Sequence, residues 1–128
     1  MKPAILDSSA FVEILDEGPN TKHFLPVLKR LPDLLVPSIT LTEVRKVILK
    51  QRTLAEADAV TKAMTSGQVI AIDEQIAILA ADLFAKHKLP LADSLIYATA
   101  LLHKATLWTQ DADFKSLPHV KYFPKQNS

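Results

Sequence analysis

Two neighbouring stretches, Leu91–Leu102 (LADSLIYATALL) and Leu107–Phe114 (LWTQDADF), decide how this chain is read. The first holds a single charged residue, Asp93, in a run that is apolar on nearly every side. Such a pattern belongs to a buried helix, and a carboxylate inside it needs a reason to be there. The second is a short apolar run ending in two carboxylates, Asp111 and Asp113, with an aromatic, Phe114, directly behind them. Its acids fit two readings: a turn in which Asp bonds its own backbone, or a ligand site assembled from several strand ends.

Outward from this pair, short apolar runs predict further strands at Ala4–Leu6, Leu34–Pro37, Val69–Ile72 and Val120–Phe123, with the fourth in chain order at Thr106–Thr109. Helical stretches begin near Ser9, Asn20, Thr40, Thr53, Asp73 and Leu91. Strand and helix alternate, and each crossover must pack a helix on a sheet face, so the pattern predicts an α/β fold. Its form is a three-layer α/β/α sandwich with a mostly parallel, Rossmann-like central sheet of about five strands. Thr40-Leu-Thr-Glu43 and Thr53-Leu-Ala-Glu56 both match a capping box, and Asp73 reads as the N-cap of a helix whose apolar stripe is Ile76, Leu79, Ala80, Leu83 and Phe84. Asp16-Glu17 before Gly18-Pro19 reads as a solvated turn, and residues 124–128, PKQNS, as a frayed tail.

At 128 residues the chain reads as one domain with a core of its own. It has no cysteine, which excludes a disulfide scaffold and Cys-based zinc sites. The apolar run before Asp7 is far too short for a signal peptide or a membrane span, so a cytoplasmic protein is expected. A formal charge of +1 does not announce a nucleic-acid binder. If five or so acids were gathered in one cleft, however, the remaining surface would be basic. The two glycines, Gly18 and Gly67, stand in no phosphate-loop spacing. His23, His87, His103 and His119 show no metal-ligand pairing and read as surface residues, and Lys46, Lys50 and Arg52 read as a basic ridge or a solvated helix face.

In open α/β sheets ligands bind beyond the carboxyl ends of the strands. Asp7 follows the first strand, Glu43 lies soon after the second, Asp111 and Asp113 follow the fourth, and Asp93 opens the buried helix that leads into it. Crowded acids raise one another's pKa, and a hard divalent cation resolves that conflict. All-oxygen ligation favours Mg²⁺ or Mn²⁺ over zinc. Two such ions suit in-line hydrolysis of a phosphodiester. Each acid also has a plainer role: Asp7, with Ser8 and Ser9, as a helix cap, Glu43 as part of a capping box, and Asp93 as a favourable charge at a helix start.

Taken together, LDSSAF at Asp7, LTEV at Glu43, LPLADSLIYATA at Asp93 and WTQDADF at Asp111 resemble the PIN domain, in order and spacing across nearly the whole chain. Size and single-domain form are similar to the VapC toxins of prokaryotic toxin-antitoxin systems. The resemblance implies a Mg²⁺-dependent endoribonuclease acting on RNA, restrained by a VapB-type antitoxin and usually homodimeric. It also implies an acidic quartet of Asp7, Glu43, Asp93 and Asp111, with Asp113 as a frequent fifth acid and Ser8 and Thr109 as supporting polar residues. Asp7, Asp93 and Asp111 would hold the ion, directly or through water, and Glu43 would orient or deprotonate the attacking water. Whether Asp111 or Asp113 sits closer to the metal is open at this level. The apolar segments at residues 20–31 and 53–64 permit a dimer contact.

Two rivals use the same acids differently. A receiver domain expects an acidic pair after the first strand and a Lys-Pro step after the last, whereas this chain has Asp7-Ser8 and Pro124-Lys125. A PIN-like nucleic-acid-binding or RNA-processing module would keep the fold without the toxin role.

Overall fold

A computed structural model describes residues 2–30 and 33–127 of the chain. Leu31, the end of one segment considered for a dimer contact, and Ser128, the last residue of the tail, lie outside the described residues. The elements run β1 (Ala4–Leu6), α1 (Ser8–Leu15), α2 (Thr21–Leu28), β2 (Leu34–Pro37), α3 (Ser38–Gln51) and α4 (Leu54–Thr65). They continue through β3 (Gln68–Ile70), α5 (Glu74–His87), α6 (Leu91–Leu102), β4 (Thr106–Thr109), a 3₁₀ turn (Ala112–Phe114) and β5 (Val120–Tyr122). Each predicted strand and helix is present, with ends shifted by a few residues.

The five strands form one sheet in the order β3-β2-β1-β4-β5, with every pair parallel. Receiver domains share the flavodoxin-like order 2-1-3-4-5, so the topology removes that rival. β1 occupies the centre, with Ala4, Ile5 and Leu6 opposite Thr106, Leu107 and Trp108 of β4. The strand order reverses between β1 and β4, which opens a crevice at their carboxyl ends.

Side-chain alternation divides the core between the two faces of the sheet. Ala4, Leu6, Leu34 and Val36 point to one face and pack with Phe11, Phe24, Val44, Ile48 and Met64 from α1–α4. Ile5, Leu35 and Leu107 point to the other and pack with Ile76, Leu83, Ile96 and Tyr97 from α5 and α6. This is the expected three-layer sandwich, and α6 is the buried helix that the text from Leu91 predicts: seven of its residues are buried.

Helix starts separate the two capping boxes. Thr53 Oγ1 accepts the Glu56 backbone N–H at 3.1 Å, and Asp73 caps α5 by accepting from the Ile76 N–H at 2.9 Å, both as expected. The Thr40–Glu43 box is not used. α3 begins at Ser38, directly after β2, so Thr40 already lies within the helix, fully buried, with its hydroxyl unpartnered among the described residues.

The expected basic ridge is also divided. Arg52 turns to Asp16 at 2.9 Å and Glu56 at 3.5 Å, leaving Lys46 and Lys50 exposed. The same contact ties down the 16–19 turn, where Glu17 adopts a left-handed φ of 54°. Of the histidines, His103 and His119 are exposed as expected, whereas His23 and His87 are half-buried and His23 stacks on Phe123 at 4.2 Å. Val69, Ile72, Ile78, Phe84 and Leu91, on β3, α5, the turn between them and the start of α6, are among the large exposed apolar residues. Phe24, Val27, Ala57 and Met64, in the segments considered for a dimer contact, instead face the core.

Candidate metal centre

β1 ends at Leu6, and the next residue, Asp7, both caps α1 and reaches the crevice. Its Oδ1 accepts the Ala10 N–H at 3.0 Å and the Ser9 hydroxyl at 2.7 Å, and its Oδ2 accepts the Thr109 hydroxyl at 2.6 Å. The cap and site readings of Asp7 are therefore one arrangement. The side chain is buried, and that burial pushes its pKa up to about 6, against the opposing pull of the hydrogen bonds from Thr109, Ser9 and Ala10.

Thr109, at the end of β4, joins two of the acid-bearing segments. Besides donating to Asp7, it accepts the Asp111 backbone N–H at 2.9 Å. Asp111 in turn caps the 3₁₀ turn by accepting the Asp113 N–H at 2.9 Å. Phe114, fully buried, pins this loop to the core beside Tyr97, and the Tyr97 hydroxyl adds a bond to Pro118 O at 2.9 Å. Tyr97 lies one turn beyond Asp93 on α6, so one helix supplies both an acid and the anchor of the loop carrying the others.

Carboxylate oxygens of Asp93, Asp111 and Asp113 lie within 4.8 Å of one another. Asp93 is buried and its pKa is driven well above the usual carboxylate range, first by desolvation and then by Asp111, with smaller contributions from Asp7 and Glu43. Both loop acids thus stand beside Asp93, Asp111 half-buried and Asp113 exposed. Glu43, one turn into α3, accepts the Ser8 hydroxyl at 3.0 Å, which links the second strand's acid to the first's. Ser94 takes no part among the acids; its hydroxyl bonds Leu89 O and Pro90 O at the start of α6. Three oxygen-bearing carboxylates at this spacing, with two more nearby, form a donor set fit for a hard divalent cation.

Sequence reasoning missed a second buried polar cluster beside the acids. Asn20, fully buried, donates to Gln110 Oε1 at 3.0 Å, and its backbone N–H donates to Glu13 Oε2 at 2.8 Å. Its amide also holds Pro124 O at 2.9 Å and accepts from Gln126 Nε2 at 2.8 Å. The signal in the text is faint: Glu13 is a lone carboxylate within the apolar run from Phe11 to Leu15.

A cleft of about 300 Å³ opens between α1 and α3, bordered by Ser8, Ser9, Glu43, Lys46, Gln110 and Lys125. A crevice at a sheet's switch point, with Glu43 on one side, Asp111 on the other and lysines at its border, defines the class: an α/β domain with acids gathered at the carboxyl ends of its strands. The PIN domain family model matches residues 4–120, and the chain belongs to that family.

Among solved structures it is similar to a toxin-antitoxin complex from Klebsiella pneumoniae, at 27% identity and a TM-score of 0.79, covering 92% of this chain and 95% of that one. It is also similar to DNA-bound VapBC from Salmonella typhimurium, at 20% identity and a TM-score of 0.72, with 97% and 98% covered. A third is VapC20 of Mycobacterium tuberculosis, a sarcin-ricin loop cleaving toxin, at 13% identity and a TM-score of 0.72, with 90% and 95% covered. These neighbours share the fold of this chain, and the expected membership of the PIN family is met. Among curated proteins the sequence finds no match.

Proposed function

We propose that this chain is a cytoplasmic, divalent-metal-dependent endoribonuclease and the toxin of a toxin-antitoxin pair. The observation that carries the reading is the carboxylate cluster of Asp93, Asp111 and Asp113 within 4.8 Å, inside a PIN-domain chain. That the neighbour VapC20 is a sarcin-ricin loop cleaving toxin supports RNA as the substrate class.

Asp93, Asp111 and Asp113 would hold Mg²⁺, or Mn²⁺ in its place, with Asp7 behind them. When bound there, the ion would supply neutralisation of phosphoryl charge. Asp7 is the fixed member, since Thr109, Ser9 and Ala10 hold both its oxygens. Ser8 orients Glu43 at 3.0 Å, and Glu43 takes the proton of the attacking water. No helix among the described residues is long and apolar enough to cross a membrane.

VapBC complexes among the neighbours support a VapB-type antitoxin as partner. An apolar groove of about 190 Å³ between α1, α2 and α4, lined by Phe11, Leu15, Leu28, Val60 and Met64, suits an apolar segment of such a partner. A homodimer, the usual state of VapC toxins, is part of the same reading.

Purified chain with Mg²⁺ is expected to cut RNA internally, to stop on chelation, and to lose activity by several orders of magnitude as Asp93→Asn. A folded Asp93→Asn protein that cuts RNA at the rate of the parent removes the reading.

A further inference from the structure

The acids explain where a phosphodiester would be cut but not how an anion is drawn toward a cluster of carboxylates. Cations on the walls of the cleft would do so. Of the basic residues near α3, Arg45 is held by Asp58 at 2.9 Å and Arg52 by Asp16 and Glu56. Lys46 and Lys125 border the cleft that contains Ser8, Ser9 and Glu43. Lys125 also borders a second cavity with Asp111 and Tyr122, so it stands between the Glu43 side and the Asp111 side of the site. Both lysines are exposed and, among the described residues, neither forms an ion pair within 4.0 Å.

Lys125 belongs to the C-terminal segment 124–127, which has no helix or strand. Asn20 grips the residue on each side of it: Pro124 O accepts from Nδ2 at 2.9 Å, and Gln126 Nε2 donates to Oδ1 at 2.8 Å. Asn20 is itself fixed by Glu13 and Gln110 and is fully buried. Phe123, just before, is stacked between His23 at 4.2 Å and Trp108 at 5.9 Å. A fully satisfied buried amide on both flanks of one exposed lysine gives that lysine a defined place.

We propose that Lys46 and Lys125 grip the backbone phosphates of single-stranded RNA from opposite borders of the cleft, with Asn20 as the positioning residue that holds Lys125 there. The proposal rests on the nuclease reading above. Lysine on phosphate is a sequence-independent contact, so the grip sets affinity and its salt dependence and leaves base preference to other groups.

The test is binding of an unstructured oligoribonucleotide by the full-length Asp93→Asn protein, which does not consume it, over about 50 to 200 mM salt. Lys46→Ala and Lys125→Ala are each expected to weaken binding up to about fivefold. Each should also flatten the plot of log Kd against log salt by about 0.7. Lys125→Arg retains the slope. Asn20→Ala reproduces the Lys125→Ala loss and adds nothing to it in the double variant; Gln126→Ala, which leaves the buried amide in place, gives a smaller loss of the same kind. In the cleaving protein the Lys125→Ala deficit falls mainly on KM. An unchanged slope in Lys125→Ala, in a parent that binds or cuts RNA, overturns the grip alone. A parent that neither binds nor cuts RNA overturns the nuclease reading and the grip with it.

Discussion

Asp7 shows how one side chain serves two ends: the hydrogen bonds that cap α1 also hold its charge in a buried place. Its folded pKa, about 6, lies above the unfolded value of 3.8. Between those values the folded chain keeps a proton that the unfolded chain has lost. The stabilising contribution is therefore complete below 3.8 and is lost as pH rises through about 6, a difference of about 3 kcal/mol for this group. The raised pKa of Asp93 extends the loss to higher pH. Chemical denaturation of the metal-free protein and of Asp7→Asn from about pH 4 to 8 is expected to show the variant gaining on the parent as pH rises; parallel curves would contradict the assignment. Thr109→Val removes a bond that lowers the Asp7 pKa, moving it further up, and costs about 1–2 kcal/mol near neutral pH. At Gly18 an added Cβ would meet Glu13 Oε1 at 2.2 Å, and Glu13 is held by Asn20. Gly18→Ala is expected to lower stability by about 1–3 kcal/mol in thermal unfolding.

Among the elements, α3 and α4 carry the same text signal with different outcomes. Thr53→Ala removes a working cap and is expected to cost about 1 kcal/mol. Thr40→Val replaces a buried, unpartnered hydroxyl with a methyl group and is expected to leave the melting temperature unchanged or raise it. The box at Thr40 misleads because α3 starts without a loop after β2, and local text cannot show that a strand passes straight into a helix. Strands and most helix starts were legible, because apolar alternation and caps are local. The places of Asp7 and Asp111 were legible as well, because each soon follows a strand in the text, and Asp93 stood out as the one charge in a buried helix. The Glu13–Asn20–Gln110 cluster was not, because its members come from separate elements and meet only in the folded chain. The exposure of Phe84 on α5 was equally hidden, since Phe84 read as part of the inward stripe.

For the whole molecule, the site is a property of tertiary structure: α6 and the ends of β1 and β4 must be in place before Asp93, Asp7 and Asp111 meet. A cation bound there couples to global stability. Mg²⁺ at about a hundred times its Kd is expected to stabilise the chain by about 2.7 kcal/mol near neutral pH, read as a rise in melting temperature. The rise should shrink in Asp93→Asn; equal shifts in both proteins would place the ion elsewhere. β1 bears a further consequence. It is buried along its length and held on both sides, with Leu6 opposite Trp108 and Asp7 next in line. A register error of one residue turns every side chain to the opposite face. In a library of single-codon deletions and insertions, residues 4–6 should therefore be a silent zone with no active survivors. Heredity can respell this strand with other apolar residues, but it cannot change its length.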